Sequence, residues 1–295
     1  MNIFITGASG YIGGSVALGM IKKGHNVTGL VRSKVRAKQI KALGILPIMG
    51  TLDDLDILTK AAQDADAVVN AADAEHRKSA ETLIAALSKS RKTLIHTSGS
   101  SIVADLSKGK GDATVYDEDT QFTALPGRAN RVTINKLVLK AKDQDVRSIV
   151  IAPALIYGRG SGVNPNSIQV PWLIDLANKH KCAYHIGPGL NVWSNVHILD
   201  LVDLYVLALE KAPAGSFYYA ENGSNTMGEV CKVIHEVKGF SGAPQAMTID
   251  EASEIWGAGP ANYTMGSNSL VHAKRARAEL EWAPHQPSIL DDMRG

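Results

Sequence analysis

The sequence predicts an α/β fold, a doubly wound parallel sheet with a small C-terminal region packed over one edge. Three observations predict it. Short β-rich runs alternate with helical stretches through the first half of the chain. A glycine-rich turn, Thr-Gly-Ala-Ser-Gly-Tyr-Ile-Gly at residues 6–13, joins the first run to the first helical stretch. The 295 residues are 45% hydrophobic and 20% charged, which suits a globular chain long enough to bury a sizeable core.

Taken in order, residues 2–6, 26–31, 45–49, 67–71 and 93–97 read as strands. Helical stretches lie between them at 11–23, 34–43, 53–63 and 75–88. A sixth unit follows, a helix over 129–143 and a strand over 147–151. Right-handed crossovers place the helices on both faces and predict the strand order 3-2-1-4-5-6. Between 98 and 128 the pattern lapses, and Ser107–Asp112 reads as an exposed loop. A long loop at the carboxyl end of a parallel strand is where α/β folds bind ligands. After Pro153 glycines and prolines break the chain into short pieces. Residues 1–152 therefore read as a nucleotide-binding domain. Residues 153–295 read as a substrate-binding region interleaved with the sheet, from which at least one more strand is expected to return.

Several classes are excluded. With 31 Lys+Arg against 29 Asp+Glu, the net charge of +2 does not suit a protein built to neutralise nucleic acid. Cys182 and Cys231 form neither a disulfide framework nor a zinc pattern, so a reduced, cytoplasmic compartment is expected. No apolar run reaches the roughly 18 residues of a membrane span. The first ten residues read as folded chain rather than a secretory signal. Histidines and acids show no metal-ligand spacing, and no metal is expected.

The turn at 6–13 carries the sharpest chemical signal. Gly7 permits a tight turn, Gly10 leaves room for a pyrophosphate, and Gly13 lets the helix pack closely on the strand. Ser9, Tyr11 and Ile12 complete the loop, whose helix N-terminus offers free N–H groups to phosphate. A dinucleotide bound as in NAD enzymes calls for an acid about 20 residues on, to hold the ribose 2′-hydroxyl. Residues 1–52 contain no acid; Arg32 and Ser33 stand at the end of the second strand, with Arg36 after them. A guanidinium binds a 2′-phosphate and an acid would repel it, so the expected cofactor is NADP.

These residues, together with others spread over nearly the whole chain, resemble the short-chain dehydrogenase/reductase superfamily in its extended or atypical branch. Within it the chain is similar to NAD-dependent epimerase/dehydratase proteins, which have a Rossmann sheet. Gly50-Thr-Leu-Asp53 resembles a GDLxD segment and puts Leu52 beside adenine. Asn70, Ala71 and Ala72 resemble the small-residue turn beside the cofactor, and Thr97, Ser98, Gly99 and Ser100 the serine-rich catalytic strand end. RSIVIAPALIYG at 147–158, VHILD at 196–200 and LEWAP at 280–284 resemble later family segments.

The family's catalytic helix carries YxxxK, and here the resemblance departs. Lys136 is taken as the lysine, which the resemblance implies holds the nicotinamide ribose; that places Val132 at the tyrosine. Valine transfers no proton. Tyr116, Tyr157, His197, Ser98 or Ser100 could supply one. Alternatively the reaction needs no strong acid, or there is no catalysis. The expected function is NADP(H)-dependent hydride transfer to or from a small organic substrate bearing C=O, activated C=C or C=N. The catalytic candidates are Lys136, Ser100, Tyr157 and His197. A non-catalytic NADP(H) sensor and an epimerase or dehydratase with tightly held NAD(P) are the alternatives. A small-molecule partner is expected, with a homodimer possible and neither nucleic acid nor membrane.

Overall fold

The computed structural model describes residues 1–295. Seven strands form one parallel sheet: β1 (Asn2–Thr6), β2 (Asn26–Val31), β3 (Leu46–Met49), β4 (Ala67–Asn70), β5 (Thr93–Thr97), β6 (Arg147–Pro153) and β7 (Ser216–Ala220). Their order is β7-β6-β5-β4-β1-β2-β3. The predicted 3-2-1-4-5-6 sequence is therefore present, with β7 as the strand returning from the C-terminal region.

Successive strand residues point to opposite faces, and each face has its own core. Ile3 and Ile5 join Val16, Ala17 and Met20 of α1 (Tyr11–Lys22) on one side, where α2 (Lys34–Ala42) adds Ile40. Phe4 points the other way, toward Leu58 of α3 (Leu55–Asp64), Leu83 of α4 (Arg77–Leu87) and Ile134 of α5 (Ala129–Lys140). A helix α6 (Gln169–His180) precedes α7 (Ile198–Lys211), whose Leu201 and Tyr205 return to the first face. A separate cluster of 18 buried residues, among them Leu173, Trp193, Val230 and Met265, forms the core of the C-terminal region.

Two helices start later than their apolar pattern suggests. The Asp54 carboxylate accepts the N–H (2.7 Å) and hydroxyl (2.9 Å) of Thr51, closing a turn before α3. His76 caps α4 by accepting the Ser79 N–H at 3.2 Å.

The segment Ser107–Asp112 is a loop with Lys108, Lys110 and Asp112 exposed, as expected, but one of its glycines is not at the surface. Gly109 is buried, donates to the Gly266 carbonyl at 2.8 Å and accepts from Leu190 at 2.8 Å. Its φ is +85°, and a Cβ there would collide with the Ile186 carbonyl. The glycine that read as a loop signal is a close-approach site that ties this segment to the C-terminal region.

Two family-like segments also meet. The buried Asp200 carboxylate accepts the backbone N–H of His285 (2.9 Å) and Gln286 (3.2 Å), and its carbonyl accepts the Trp282 indole N–H (2.9 Å). No helix is long and apolar enough to cross a membrane. Cys182 and Cys231 are free and buried, and burial pushes the Cys231 thiol up to about 12.

Candidate active site

The carboxyl ends of β1, β4 and β5 are joined by a buried polar chain. The Thr6 hydroxyl donates to Asn70 Oδ1 at 2.7 Å and accepts the Ala71 N–H at 3.2 Å. Asn70 Nδ2 lies 3.1 Å from His96 Nδ1. Burial, reinforced by the nearby Arg131 charge, holds His96 down at about 4. A neutral ring that accepts at Nδ1 fits both facts.

The glycine turn sits on this support. Gly7 has φ +75°, and a Cβ on it would come within 2.7 Å of the Ala71 carbonyl oxygen. A Cβ on Gly13 would collide with the Gly7 carbonyl. No side chain caps α1, so its first-turn N–H groups are left for a ligand.

In front of the turn lies an outer cavity of about 780 Å³. Gly7, Ser9, Gly10, Arg32, Ser33, Arg36, Leu52, Ala71 and Ala72 line it, as do Asp53, Asp73 and His76. Asp53 faces His76 at 3.3 Å. Arg32 is exposed, and Arg36 donates to Gln39 at 3.1 Å. An inner cavity of about 500 Å³ is lined by Tyr11, Ile12, Gly13, Thr97, Ser98, Ser100, Arg128, Arg131, Ile156 and Trp193. The two cavities share Gly10, Ala71, Ala72 and Asp73, so they form one cleft across the carboxyl edge of the sheet. Asn70 lines neither cavity and acts from behind, through the chain just described.

Three of the residues expected to act in catalysis lie elsewhere. Lys136 is exposed on the outer side of α5 and lines neither cavity. The reason is register. Within the same helix Arg131 lines the inner cavity, and Asn135, four residues on as the family's lysine follows its tyrosine, is buried behind Ser98. Arg131 Nε donates to Glu75 at 2.9 Å and Nη1 to the Ser101 hydroxyl at 3.1 Å. Asn135 is 4% exposed and donates to Ser98 Oγ at 2.8 Å, while its Oδ1 has no partner. The expected pair Val132 and Lys136 is thus one residue off the pair turned toward the sheet, and the signal for the latter is the polar i, i+4 spacing of Arg131 and Asn135.

Tyr157 is turned away. Its hydroxyl donates to the Pro287 carbonyl at 2.7 Å, and burial pushes its pKa upward. His197 caps α7 by accepting the Leu199 N–H at 3.2 Å; it packs edge-on to Tyr157, and burial lowers its pKa. Tyr116 packs on Phe122 outside the cleft. Ser100 does line the inner cavity, but its hydroxyl is 2.8 Å from that of Ser269. Tyr11 lines the cavity with its hydroxyl donated to the Tyr157 and Gly158 carbonyls, at 2.9 and 2.8 Å. Sequence spacing also missed Asp200, Asp203 and His285, whose potential ligand atoms lie within 4.8 Å of one another. Asp200 there is already engaged in holding the C-terminal segment.

A glycine turn opening on a cleft at the carboxyl edge of a doubly wound sheet defines a Rossmann-type α/β protein. Residues 3–219 match the model of the NAD dependent epimerase/dehydratase family, and the chain belongs to that family, within the extended short-chain dehydrogenase/reductases. It is 31% identical to an uncharacterized protein of Schizosaccharomyces pombe over 99% of this chain and 98% of that one. It is 29% identical to Oxidase ucsJ of an Acremonium species, covering 99% and 95%. A 4-hydroxy-2-methyl-3-oxo-4-farnesyl-3,4-dihydroquinoline-1-oxide ketoreductase of Stigmatella aurantiaca is 29% identical, covering 76% and 69%. Among solved structures, dTDP-glucose 4,6-dehydratase from Bacillus anthracis in complex with NAD superposes with a TM-score of 0.79. That match covers 100% of this chain and 94% of the other at 19% identity.

Proposed function

We propose that this protein is an NADP(H)-dependent oxidoreductase acting on a small organic carbonyl, activated alkene or imine. The observation that carries the reading is the continuous cleft, with an uncapped helix N-terminus at its centre, an exposed arginine at its outer end and a polar inner cavity. Relatives named as an oxidase and a ketoreductase point the same way.

The chain's residues fit a nicotinamide dinucleotide. Gly7 and Gly13 let the turn close against Ala71 and on itself, Gly7 and Gly10 line the cleft, and the uncapped first turn of α1 adjoins it. Arg32, with Ser33 and Arg36, would hold the 2′-phosphate; Leu52, Ala71 and Ala72 would flank adenine and its ribose. Asn135 acts from behind the cleft, holding Ser98 through its amide N–H. When bound, the reduced cofactor supplies hydride. Ser98 accepts from Asn135 and keeps its own O–H free to donate to a substrate oxygen that gains charge. Arg131, fixed by Glu75, adds positive charge at the same end. A guanidinium is too weak an acid to give up its proton, so the proton that completes reduction comes from water. Residues 1–152 supply the cofactor side, and Ile156 and Trp193 belong to the substrate wall.

The test is calorimetric titration of wild type and Arg32→Ala with NADPH and NADH, followed by NADPH oxidation with a carbonyl, enone and imine panel. Arg32→Ala should weaken NADPH by about 10- to 100-fold and leave NADH nearly unchanged. Equal losses for both would overturn the cofactor choice. NADPH binding without turnover of any substrate would overturn the enzyme reading in favour of a sensor.

A further inference from the structure

One side-chain pair bridges the outer cavity. Asp53 and His76 both line it, with Asp53 Oδ1 3.3 Å from His76 Nε2. We propose that this pair is a bar across the dinucleotide end of the cleft, which parts to admit and release the cofactor and so sets its exchange rate. This rests on the cofactor reading of the cleft and adds a gate to it.

The sheet topology puts the pair across the cavity. Asp53 follows β3 and His76 follows β4, strands that are not neighbours, because β1 and β2 stand between them. At about 4.8 Å per strand, the ends of β3 and β4 lie roughly 14 Å apart. Gly7 after β1, Val31 at the end of β2 and Arg32 after it line the same cavity between them. Asp53 and His76 thus reach toward each other from its two sides. The other side-chain bonds made by the lining residues stay within one turn of chain, as Ser33 to the Arg36 N–H and Asp54 to Thr51.

The two partners are held unequally. His76 is a fixed post. Its Nδ1 accepts the Ser79 N–H at 3.2 Å, so a neutral ring carries its proton on Nε2 and donates it to Asp53. Glu75, the residue before it, ties the same segment to α5. The Glu75 carbonyl and carboxylate each accept from Asn130 at 3.0 Å, and the carboxylate accepts from Arg131 Nε at 2.9 Å. Asp53 is the movable arm: its side chain is 78% exposed, against 25% for His76, and its carboxylate has no other partner. Exposed pairs of this kind are weak. A weak pair opens often, as a gate must and a permanent wall must not.

A bar and a contact differ in their kinetics. A side chain that touches the bound cofactor slows its departure alone, whereas a bar slows arrival and departure alike. Stopped-flow NADPH fluorescence with the full chain reads both rates. Asp53→Ala and His76→Asn should each raise the association and dissociation rates about two- to fivefold and leave Kd within about twofold. Asparagine at position 76 still caps α4, and thermal unfolding checks that each variant folds. The double variant should match the single ones, since each removes the same bar. Unchanged rates in both single variants would overturn the proposal, as would a rise in dissociation alone or fully additive effects in the double variant. An absence of NADPH binding by wild type would sink the cofactor reading and the bar with it, a result distinct from binding whose rates ignore the pair.

Discussion

The two ends of the cleft are built on different principles. The outer end is made by backbone: glycines that admit close approach, a free helix N-terminus, and exposed arginines at a strand end. The inner end is made by buried side chains held by distant partners, Ser98 by Asn135, Arg131 by Glu75 and Ser100 by Ser269. A backbone site depends on local order and is written in consecutive residues. A side-chain site depends on which face of a helix meets which strand, so a one-residue change of register replaces its whole membership.

The largest expected effect tests the backbone end. In Gly13→Val the new side chain would run into the Gly7 carbonyl. Overpacking of this kind destabilises by about 1–3 kcal/mol, and the distorted turn should bind NADPH at least about 100-fold more weakly. Thermal unfolding and calorimetry measure the two effects. Wild-type binding in this variant would show that the turn does not hold the phosphates.

The second prediction concerns the buried support beneath both ends. His96 is held at about 4 in the folded protein, below its ordinary 6.5. Between those values the unfolded chain binds more protons, so stability rises with pH over this window. Its contribution is fully present above pH 6.5 and is lost as pH falls through about 4, on the order of 3 kcal/mol. Urea unfolding from pH 7 to 4 should show this slope, and His96→Asn should flatten it. A slope unchanged by the substitution would mean that other groups carry it.

The smallest effect separates the two helix registers. Lys136→Ala should leave NADPH oxidation within about twofold, as expected for an exposed side chain away from the cleft. Asn135→Ala, which releases Ser98, should lower kcat/KM about tenfold. If the lysine variant is the damaged one, α5 is turned differently in solution.

The alternation of strands and helices, the sheet order and the glycine turn were legible because each rests on local periodicity or on backbone room at consecutive positions. That Arg32 and Ser33 would face the outer cavity, with Arg36 one turn on in α2, was legible because a strand's end fixes where its next residues point. Lys136, Tyr157 and His197 lie outside the cleft; their chemical type was visible in the sequence and their facing was not. Only the folded chain shows that Tyr157 is committed to Pro287 and His197 to the start of α7. The same holds for Gly109, whose need for close approach depends on Ile186, a residue far along the chain.

By itself the sequence determined the doubly wound sheet and the cradle at its first turn, since both follow from short-range patterns of hydrophobicity and from the missing Cβ of glycine. Tertiary structure alone decided which polar groups face the inner cavity. A helix turns 100° per residue, so the neighbours Asn135 and Lys136 point to different surroundings, and only packing against β5 and β6 selects between them.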